Sequence, residues 1–370
     1  MLNIKQKFKK IILSFIGLVS ISACDAIKDF SRASNGNGNA IDVAILLPLS
    51  GSEADLSKEY AQMIKMGLSD STKSKIRVTS YDSSDNEKLK ASLEKIFETG
   101  TDIIIGPVYS ETTKIVANEI KGKGTIVLSL SNNPALASDQ LFLCGHAPMR
   151  QLEQLTNYFL ENHYKNYIAL LPAGRYSNLT GKILSDMITV SGGTLEKIEF
   201  YGNSAQAMTS SVKSVSDTVD SLNENDLNLK QPVIILADDS TTLQLLYDEI
   251  NKEHLDKKAK IAGDSRADIG SLSPLNVTFT GSLQMVDTDI SIRARKAGLQ
   301  HISFLHAIAY DAGKIVGENI GTGFNKARFL EKMNSSEKFN GISGQIHFID
   351  SIAQRKYDVI RKEGDNYYGK

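Results

Sequence analysis

Unbroken apolar runs that end abruptly at Pro, Gly or Ser recur along the chain. The first is at residues 43–50 (VAILLPLS), and residues 102–110, 125–131 and 167–172 repeat its form. A continuous run of Val, Ile and Leu is typical of a strand buried on both faces. A helical pattern follows each run, and strands that alternate with helices predict βαβ units and a parallel sheet. Because open α/β sheets bind ligands beyond the carboxyl ends of their strands, the polar residues that end these runs are the predicted binding positions.

This alternation occurs twice, which predicts two lobes. The first half has predicted strands at 43–49, 76–81, 102–106 and 125–130, with helices at 53–68, at 89–97 and up to 120. A short strand at 142–146 is the predicted first crossing between the lobes. The second half has predicted strands at 167–171, 195–200, 233–237 and 261–263, with helices at 152–160, 177–190 and 241–250. The rest is predicted as a return crossing at 281–286, a first-lobe helix at 301–320, a third crossing at 339–344 and closing strands at 346–348 and 357–360.

Residues 1–24 have the form of a bacterial export signal. Lysines precede an apolar stretch at 11–21, which has the length of a signal-peptide core and is too short to span a bilayer. It ends in Ile21-Ser22-Ala23-Cys24, which resembles the lipobox, whose cysteine thiol receives a diacylglycerol group. Cys24 is therefore the predicted lipidation site, and acyl chains such as palmitate would hold the protein on an envelope membrane, facing the periplasm. A plain signal peptide or an uncleaved anchor with a chance cysteine is the alternative, and inner versus outer membrane stays open.

The composition and the motif content argue against several classes of function. The 370 residues carry a formal net charge of −1, which gives no electrostatic reason to expect a nucleic acid partner. The two cysteines cannot make a disulfide framework, and Cys144 is interpreted as a small buried core thiol. The six histidines have no zinc-binding spacing, and the sequence has neither a Gly-x-Ser-x-Gly elbow nor a Walker loop. No enzyme activity, cofactor or metal site is therefore predicted.

Seven segments in order resemble a known family. They are ILLPLSG, the loop at Asp82, DIIIGPVYS, VLSLSNN, LFLCGHAP, ALLPAGRYSN and FNGISGQIHF, and their order and spacing are those of type I periplasmic binding proteins. The last is similar to the Gly-rich pattern at the third crossing of leucine/isoleucine/valine-binding proteins. LLPLSG after a lipoprotein signal, the GP-x-x-x loop and GHAPMRQLEQLTNYF before LLPAGRY look most like the penicillin-binding protein activator lipoproteins of the LpoA/LppC type. The resemblance covers residues 42–360 and implies an α/β fold of two Rossmann-like lobes with parallel sheets, joined by three crossings around a cleft.

The resemblance and the N-terminal pattern together predict the domain boundaries. These are a signal peptide at 1–24, a flexible tether rich in Asn, Gly and Ser at 25–41, a first lobe at 42–144 and 285–335, and a second lobe at 145–284 and 336–370. Because the tether separates the lipid from the fold, the lobes are expected to work near a membrane and not inside it.

In ligand-binding relatives, the loops after the strands hold the carboxylate and ammonium groups of an amino acid. Carried over position by position, the resemblance implies cleft residues Ser50, Tyr109, Ser110, Ser129, Ser131 and Asn132 in the first lobe, and Arg175, Tyr176, Asp238, Asp264 and Arg266 in the second. Hydroxyls and backbone N–H groups at helix N-termini suit an anion, and Asp238 or Asp264 suits an ammonium. The alternative is that these residues serve as turns and helix caps. Ser131-Asn132-Asn133 also departs from the Ala-Ala-Thr-like stretch that relatives favour there.

Two functions are compatible with these sequence features. The first is a non-catalytic, lipid-anchored envelope protein that regulates peptidoglycan synthesis by contacting a penicillin-binding protein, with a vestigial or regulatory cleft. The second is a solute-binding receptor that serves an ABC transporter in the transport of a branched-chain amino acid or a similar small polar solute. A receptor needs convergent polar groups and lobe closure driven by its ligand, whereas a regulator needs an exposed contact patch. A wall hydrolase, the third possibility, has no catalytic constellation to support it.

Overall fold

The structure is a computed structural model, and it describes residues 40–225, 230–238, 243–270, 275–285, 289–299, 302–320 and 324–369. The predicted signal peptide, Cys24 and the tether up to residue 39 lie outside the described residues. Residues 41–370 form one compact unit.

The first lobe begins with parallel strands that alternate with helices. The strands are β1 (Ile41–Leu47), β2 (Ile76–Asp82), β3 (Ile103–Ile105), β4 (Ile126–Ser129) and β5 (Leu141–Leu143), and the helices between them are α1 (Ala54–Ser71), α2 (Asn86–Glu98) and α3 (Ser110–Glu119). Successive residues of β1 enter different cores: Val43 and Ile45 pack on one face of the sheet, and Ala44 packs on the other. Burial on both faces explains why this strand is apolar throughout.

The second lobe repeats the arrangement. Its elements are α4 (Pro148–Glu161), β6 (Asn166–Pro172), α5 (Arg175–Val190), β7 (Thr194–Tyr201), α6 (Ala205–Asn225), β8 (Val233–Leu236), α7 (Leu243–Lys252), α8 (Leu255–Lys258), β9 (Lys260–Gly263) and β10 (Val277–Gly281). Two further cores cover the two faces of its sheet.

The chain then returns to the first lobe before it ends in the second. The remaining elements are α9 (Asp289–Lys296), α10 (Phe304–Ile320), α11 (Lys326–Met333), β11 (Phe339–Gly341), β12 (Gly344–Ile349), β13 (Ile352–Lys356), β14 (Asp358–Glu363) and β15 (Asn366–Gly369). The eight-stranded sheet has the order β11-β12-β13-β5-β4-β3-β1-β2, and the seven-stranded sheet has the order β15-β14-β10-β9-β8-β6-β7. Two sheets of mostly parallel strands confirm the predicted α/β fold with two lobes.

The third crossing lies later in the chain than predicted. Residues 339–344 form a hairpin within the first sheet, and β13 pairs with β5 through Ile352 and Leu143. The assignment of residues 336–370 to the second lobe is therefore wrong for the strands up to Lys356, and the chain crosses at Tyr357. The physical reason is a buried carboxylate in α10: Asp311 accepts hydrogen bonds from the backbone N–H groups of residues 342 and 343, at 2.7 and 2.8 Å, and so holds the hairpin loop on the first lobe.

Helices α1 and α10 run parallel with their backbones in contact. A Cβ atom at Gly67 would collide with the carbonyl oxygen of Tyr310, and one at Gly313 would collide with that of Ile64. Both glycines are therefore required by the close approach of the two helices. This packing ties the segment after the second crossing to the first helix of the lobe.

Candidate functional site at the sheet edges and the hinge

The predicted serines of the first lobe lie together at the carboxyl edge of its sheet. Ser110 Oγ, at the start of α3, lies 3.1 Å from Ser131 Oγ, in the loop that follows β4. Ser129 is fully buried, and its hydroxyl donates to the carbonyl oxygen of Pro107 at 2.9 Å. Asn132 is exposed. Ser129 thus stabilises the neighbouring loop from inside, whereas Ser110 lies nearer the solvent.

Ser50 belongs to a polar cluster at the same edge. Its hydroxyl donates to Asp82 Oδ2 at 2.7 Å and accepts from Lys88 Nζ at 2.5 Å. Burial alone would raise the pKa of Asp82, but hydrogen bonds from Ser50, from Ser84 and from the backbone of Leu49 outweigh burial and lower it. Lys88 Nζ also lies 3.5 Å from the carboxylate of Asp82. Ser50, Asp82 and Lys88 thus stabilise one another at the sheet edge.

Tyr109 is half-exposed, and its phenol O–H donates to Glu53 Oε2 at 3.0 Å. Burial and the neighbouring carboxylate raise the pKa of Tyr109 to about 12. The phenol is therefore neutral at physiological pH and presents an aromatic ring to the solvent. Glu53 precedes α1, so this contact joins the loop after β3 to the start of α1.

In the second lobe, both predicted aspartates are buried and engaged by protein groups. Asp264 accepts from Arg266 Nε at 2.9 Å and from its Nη2 at 2.6 Å, and Asp238 accepts from the hydroxyl of Tyr201. An ammonium ligand at Asp264 would have to displace a guanidinium held by two bonds. Arg175 and Tyr176 lie exposed at the start of α5.

A set of polar residues that was not predicted from the sequence lies where the chain crosses between the lobes. His146 Nε2, in the first crossing, lies 2.8 Å from Gln151 Oε1 and 3.2 Å from Ser265 Oγ in the second lobe. Its ring also packs against Phe304 of the first lobe, with 5.4 Å between ring centroids. Burial lowers the pKa of His146. A single polar residue between the apolar run 141–144 and a proline was the sequence feature that could have indicated this position.

Arg355 links the first and third crossings. Its Nη1 donates to the carbonyl oxygen of Gly145 at 2.9 Å, and its Nε donates to Ser343 Oγ at 3.0 Å. The Ser343 hydroxyl in turn donates to Asp311, whose pKa is raised by burial despite these bonds. The guanidinium thus provides positive charge beside a buried carboxylate and cross-links the hinge.

Two cavities of the described residues lie away from the predicted cleft residues. One of about 570 Å³ lies between α4 and the third crossing, with Arg150, Gln154 and Tyr357 in its lining. The other, of about 480 Å³, is lined by residues of α3 and of the loop before β5. Neither lining includes any of the predicted cleft residues.

Two kinds of feature are absent from the described residues. No helix in that part of the chain is both long and apolar enough to cross a membrane. Over the same residues, His, Cys, Asp and Glu side chains nowhere gather in threes as metal ligands would. Cys144 is buried, as predicted, and burial raises the pKa of its thiol.

Comparison with known families gives a match over more than half of the chain. The model of the family described as "LppC putative lipoprotein" matches residues 26–232. The uncharacterized protein RP748 of Rickettsia prowazekii (strain Madrid E) is 40% identical over 369 residues, which cover 100% of this chain and 99% of that protein.

Solved structures with the same fold come from two groups of proteins. Full-length LpoA from Haemophilus influenzae superposes with a TM-score of 0.60 at 19% identity over 90% of this chain, but this chain spans only 59% of the length of LpoA. A branched-chain amino acid ABC transporter periplasmic ligand-binding protein from Burkholderia xenovorans LB400 superposes with a TM-score of 0.72 at 14% identity, over 89% of this chain and 94% of that one. The leucine-binding protein LivK from Thermotoga maritima gives a TM-score of 0.62 at 15% identity, over 90% and 98% of the two chains.

Proposed function

Because the chain belongs to the LppC lipoprotein family, we propose that it is a lipid-anchored envelope protein that regulates peptidoglycan synthesis by binding a penicillin-binding protein. The family match carries this proposal, since activators of penicillin-binding proteins are the relatives that the sequence motifs resemble. The shared fold with LpoA over 90% of the chain supports it. The protein acts by contact and catalyses no reaction, and Cys24 carries the lipid.

The state of the cleft residues supports a regulator more than an amino-acid receptor. A receptor needs polar groups that are free to converge on a ligand. Here Asp264 already binds the guanidinium of Arg266, and the Ser129 hydroxyl is fully buried against a backbone carbonyl. These groups stabilise the loops of each lobe, which leaves the exposed surface as the functional part of the molecule.

The test is capture of penicillin-binding proteins from the membranes of the same cell. The full-length lipidated protein is immobilised in detergent micelles, solubilised membranes are passed over it, and retained proteins are labelled with fluorescent penicillin. The proposal predicts at least one labelled band that is absent from beads carrying an unrelated lipoprotein. Retention equal to that control would contradict it.

A solute-binding receptor is the second candidate, and the superposition on the Burkholderia xenovorans protein over 94% of its length favours it. The discriminating measurement is thermal unfolding in the presence of amino acids, small peptides and muropeptides. A ligand at 100 times its dissociation constant stabilises the folded state by about 2.7 kcal/mol. A clear shift with a free amino acid would support the receptor and contradict the regulator, whereas unchanged unfolding across the panel would contradict the receptor.

A further inference from the structure

Three exposed apolar side chains lie at the N-terminal ends of helices in the first lobe. Leu56 in α1 is 40% exposed, Tyr109 at the start of α3 is 48% exposed, and Leu305 in α10 is 38% exposed. We call these three residues the tyrosine–leucine patch. Single exposed apolar residues are common on protein surfaces, so their significance depends on whether they lie together.

A contact at the start of α1 brings two members of the patch to the same helix end. Tyr109 donates its phenol hydrogen to Glu53 at 3.0 Å. Glu53 immediately precedes α1, and Leu56 follows it by three residues, which places both on one side of the helix start. The Tyr109 ring and the Leu56 side chain therefore share the N-terminal end of α1.

The third member is held at the same end by a second contact. Glu59 Oε2, one turn after Leu56, lies 2.9 Å from His306 Nε2 in α10. The ring of His306 also packs against Tyr60, with 5.1 Å between centroids. Leu305 precedes His306, and α1 and α10 are parallel, so Leu305 lies at the same end of the helix pair as Leu56.

The surroundings of the patch are acidic. The side chain of Asp55 is 97% exposed and that of Glu59 is 41% exposed. Among the charged residues that flank Leu56 and Tyr109 in the sequence, the carboxylates are Glu53, Asp55, Glu59 and Glu111, and the ammonium groups are Lys58 and Lys114. Asp55 pairs with Lys58 and Glu59 with His306, each at 2.9 Å, and the carboxylates still outnumber the ammonium groups. An excess of negative charge at the rim attracts a basic partner and repels an acidic one.

We propose that the tyrosine–leucine patch is the docking surface for the penicillin-binding protein, and that the partner places a lysine or arginine beside an apolar side chain there. This inference rests on the proposed function and adds the contact surface and the chemistry of the partner. An aromatic and aliphatic centre with a polar rim is the composition of a binding hot spot. The three side chains stand at the ends of formed helices, so little backbone order has to be gained on binding.

Two substitutions of Leu56, by residues of opposite charge, test the proposal. The assay is the capture experiment above, titrated with the detergent-solubilised penicillin-binding proteins of the same cell and read with fluorescent penicillin. Leu56→Lys should raise the half-saturating concentration at least about tenfold, because it removes an apolar contact and repels a basic partner. Leu56→Glu removes the same contact but keeps the attraction to a basic partner. Its half-saturating concentration should therefore rise several-fold less than that of Leu56→Lys. Leu245→Lys is the matched control, because Leu245 is a 50% exposed leucine of α7 in the second lobe, and it should bind as the wild type does.

The outcomes separate this inference from the function on which it rests. If Leu56→Lys captures penicillin-binding proteins as strongly as the wild type does, the docking surface is overturned and the proposed function stands. Equal losses in Leu56→Lys and Leu56→Glu would overturn the basic partner, and no capture by the wild type would overturn both proposals. A wild-type dimer in light scattering that Leu56→Lys converts to a monomer would assign the patch to a second copy of this chain and overturn the proposal.

Discussion

Nη1 of Arg355 lies 2.9 Å from the carbonyl oxygen of Gly145 and donates to it. Gly145 belongs to the first crossing between the lobes, and Arg355 lies two residues before the third crossing at Tyr357. The carbonyl of Cys144 accepts from the same guanidinium. One side chain therefore joins the first crossing to the strand that leads into the third.

Replacing this arginine should destabilise the protein. Arg355→Gln leaves the buried carbonyls of Cys144 and Gly145 without their charged donor and removes positive charge near Asp311. The free energy of unfolding in urea should fall by about 2–4 kcal/mol, since each unsatisfied buried acceptor costs about 1–3 kcal/mol. Arg361→Gln is the control, because Arg361 pairs with Glu363 on the surface and should cost less than about 1 kcal/mol. Equal small losses in both variants would show that the hinge contact does not stabilise the fold.

His146 should make stability fall on acidification. Burial lowers its pKa in the folded protein, and Arg266 and Arg355 act in the same direction against the opposing effects of Asp264 and Gln151. The unfolded chain therefore binds a proton at a higher pH than the folded chain does. Stability is then complete above the ordinary histidine pKa of about 6.5 and is lost as the pH falls from there, by up to about 1.4 kcal/mol per pH unit.

The measurement compares urea unfolding at several pH values between 7.5 and 5. His146→Gln cannot titrate, so its stability should fall less steeply than that of the wild type over this range. His163→Asn, at an exposed position with a left-handed backbone that Asn tolerates, is the control. Parallel profiles for the wild type and His146→Gln would contradict the assignment of this dependence to His146.

The contact between α1 and α10 should tolerate no added carbon. Gly313→Ala would place a methyl group against the carbonyl oxygen of Ile64, so the helices must separate. We expect a loss of about 1–3 kcal/mol in the free energy of unfolding, as for other overpacked cores. Gly124→Ala is the matched control, since nothing lies within 4 Å of its added Cβ, and it should be neutral or slightly stabilising. A Gly313→Ala variant as stable as Gly124→Ala would show that the helices are not in backbone contact.

Much of the fold could be predicted because buried parallel strands have an unmistakable pattern. Residues 43–47 and 167–171 are apolar at every position and are indeed strands buried on both faces. The third crossing could not be located in this way, because FNGISG has the same turn chemistry in a hairpin as in a crossing. Its position is fixed by Asp311, which lies about thirty residues earlier and binds the loop only in the folded protein.

The candidate site was predicted in part for the same reason. Polar residues at strand ends, such as Ser110 and Ser131, do meet at one sheet edge, since parallel strands bring their ends together. The partners that engage them are not visible in a linear pattern: the pairing of Asp238 with Tyr201 depends on two strands separated by β6. The hinge contacts of Arg355 join residues more than 200 positions apart, which no local pattern indicates.

Lipidation at Cys24 should decide where the protein is found in the cell. The wild type should fractionate with membranes and enter the detergent phase on Triton X-114 separation, because acyl chains contribute about 0.8 kcal/mol per buried CH₂ group. Cys24→Ser lacks the thiol and should be found in the aqueous phase or as an unprocessed precursor. A Cys24→Ser variant that partitions and is processed like the wild type would contradict lipidation at this residue.

Regulation of wall synthesis is tested most directly by the rate of that synthesis. A penicillin-binding protein identified by capture is purified and supplied with lipid-linked disaccharide peptide in detergent micelles, with and without the full-length lipidated protein. We predict a several-fold increase in glycan polymerisation or peptide cross-linking, which Leu56→Lys reduces and Leu245→Lys does not. Rates that are unchanged at saturating concentrations of the wild-type protein would contradict the central claim.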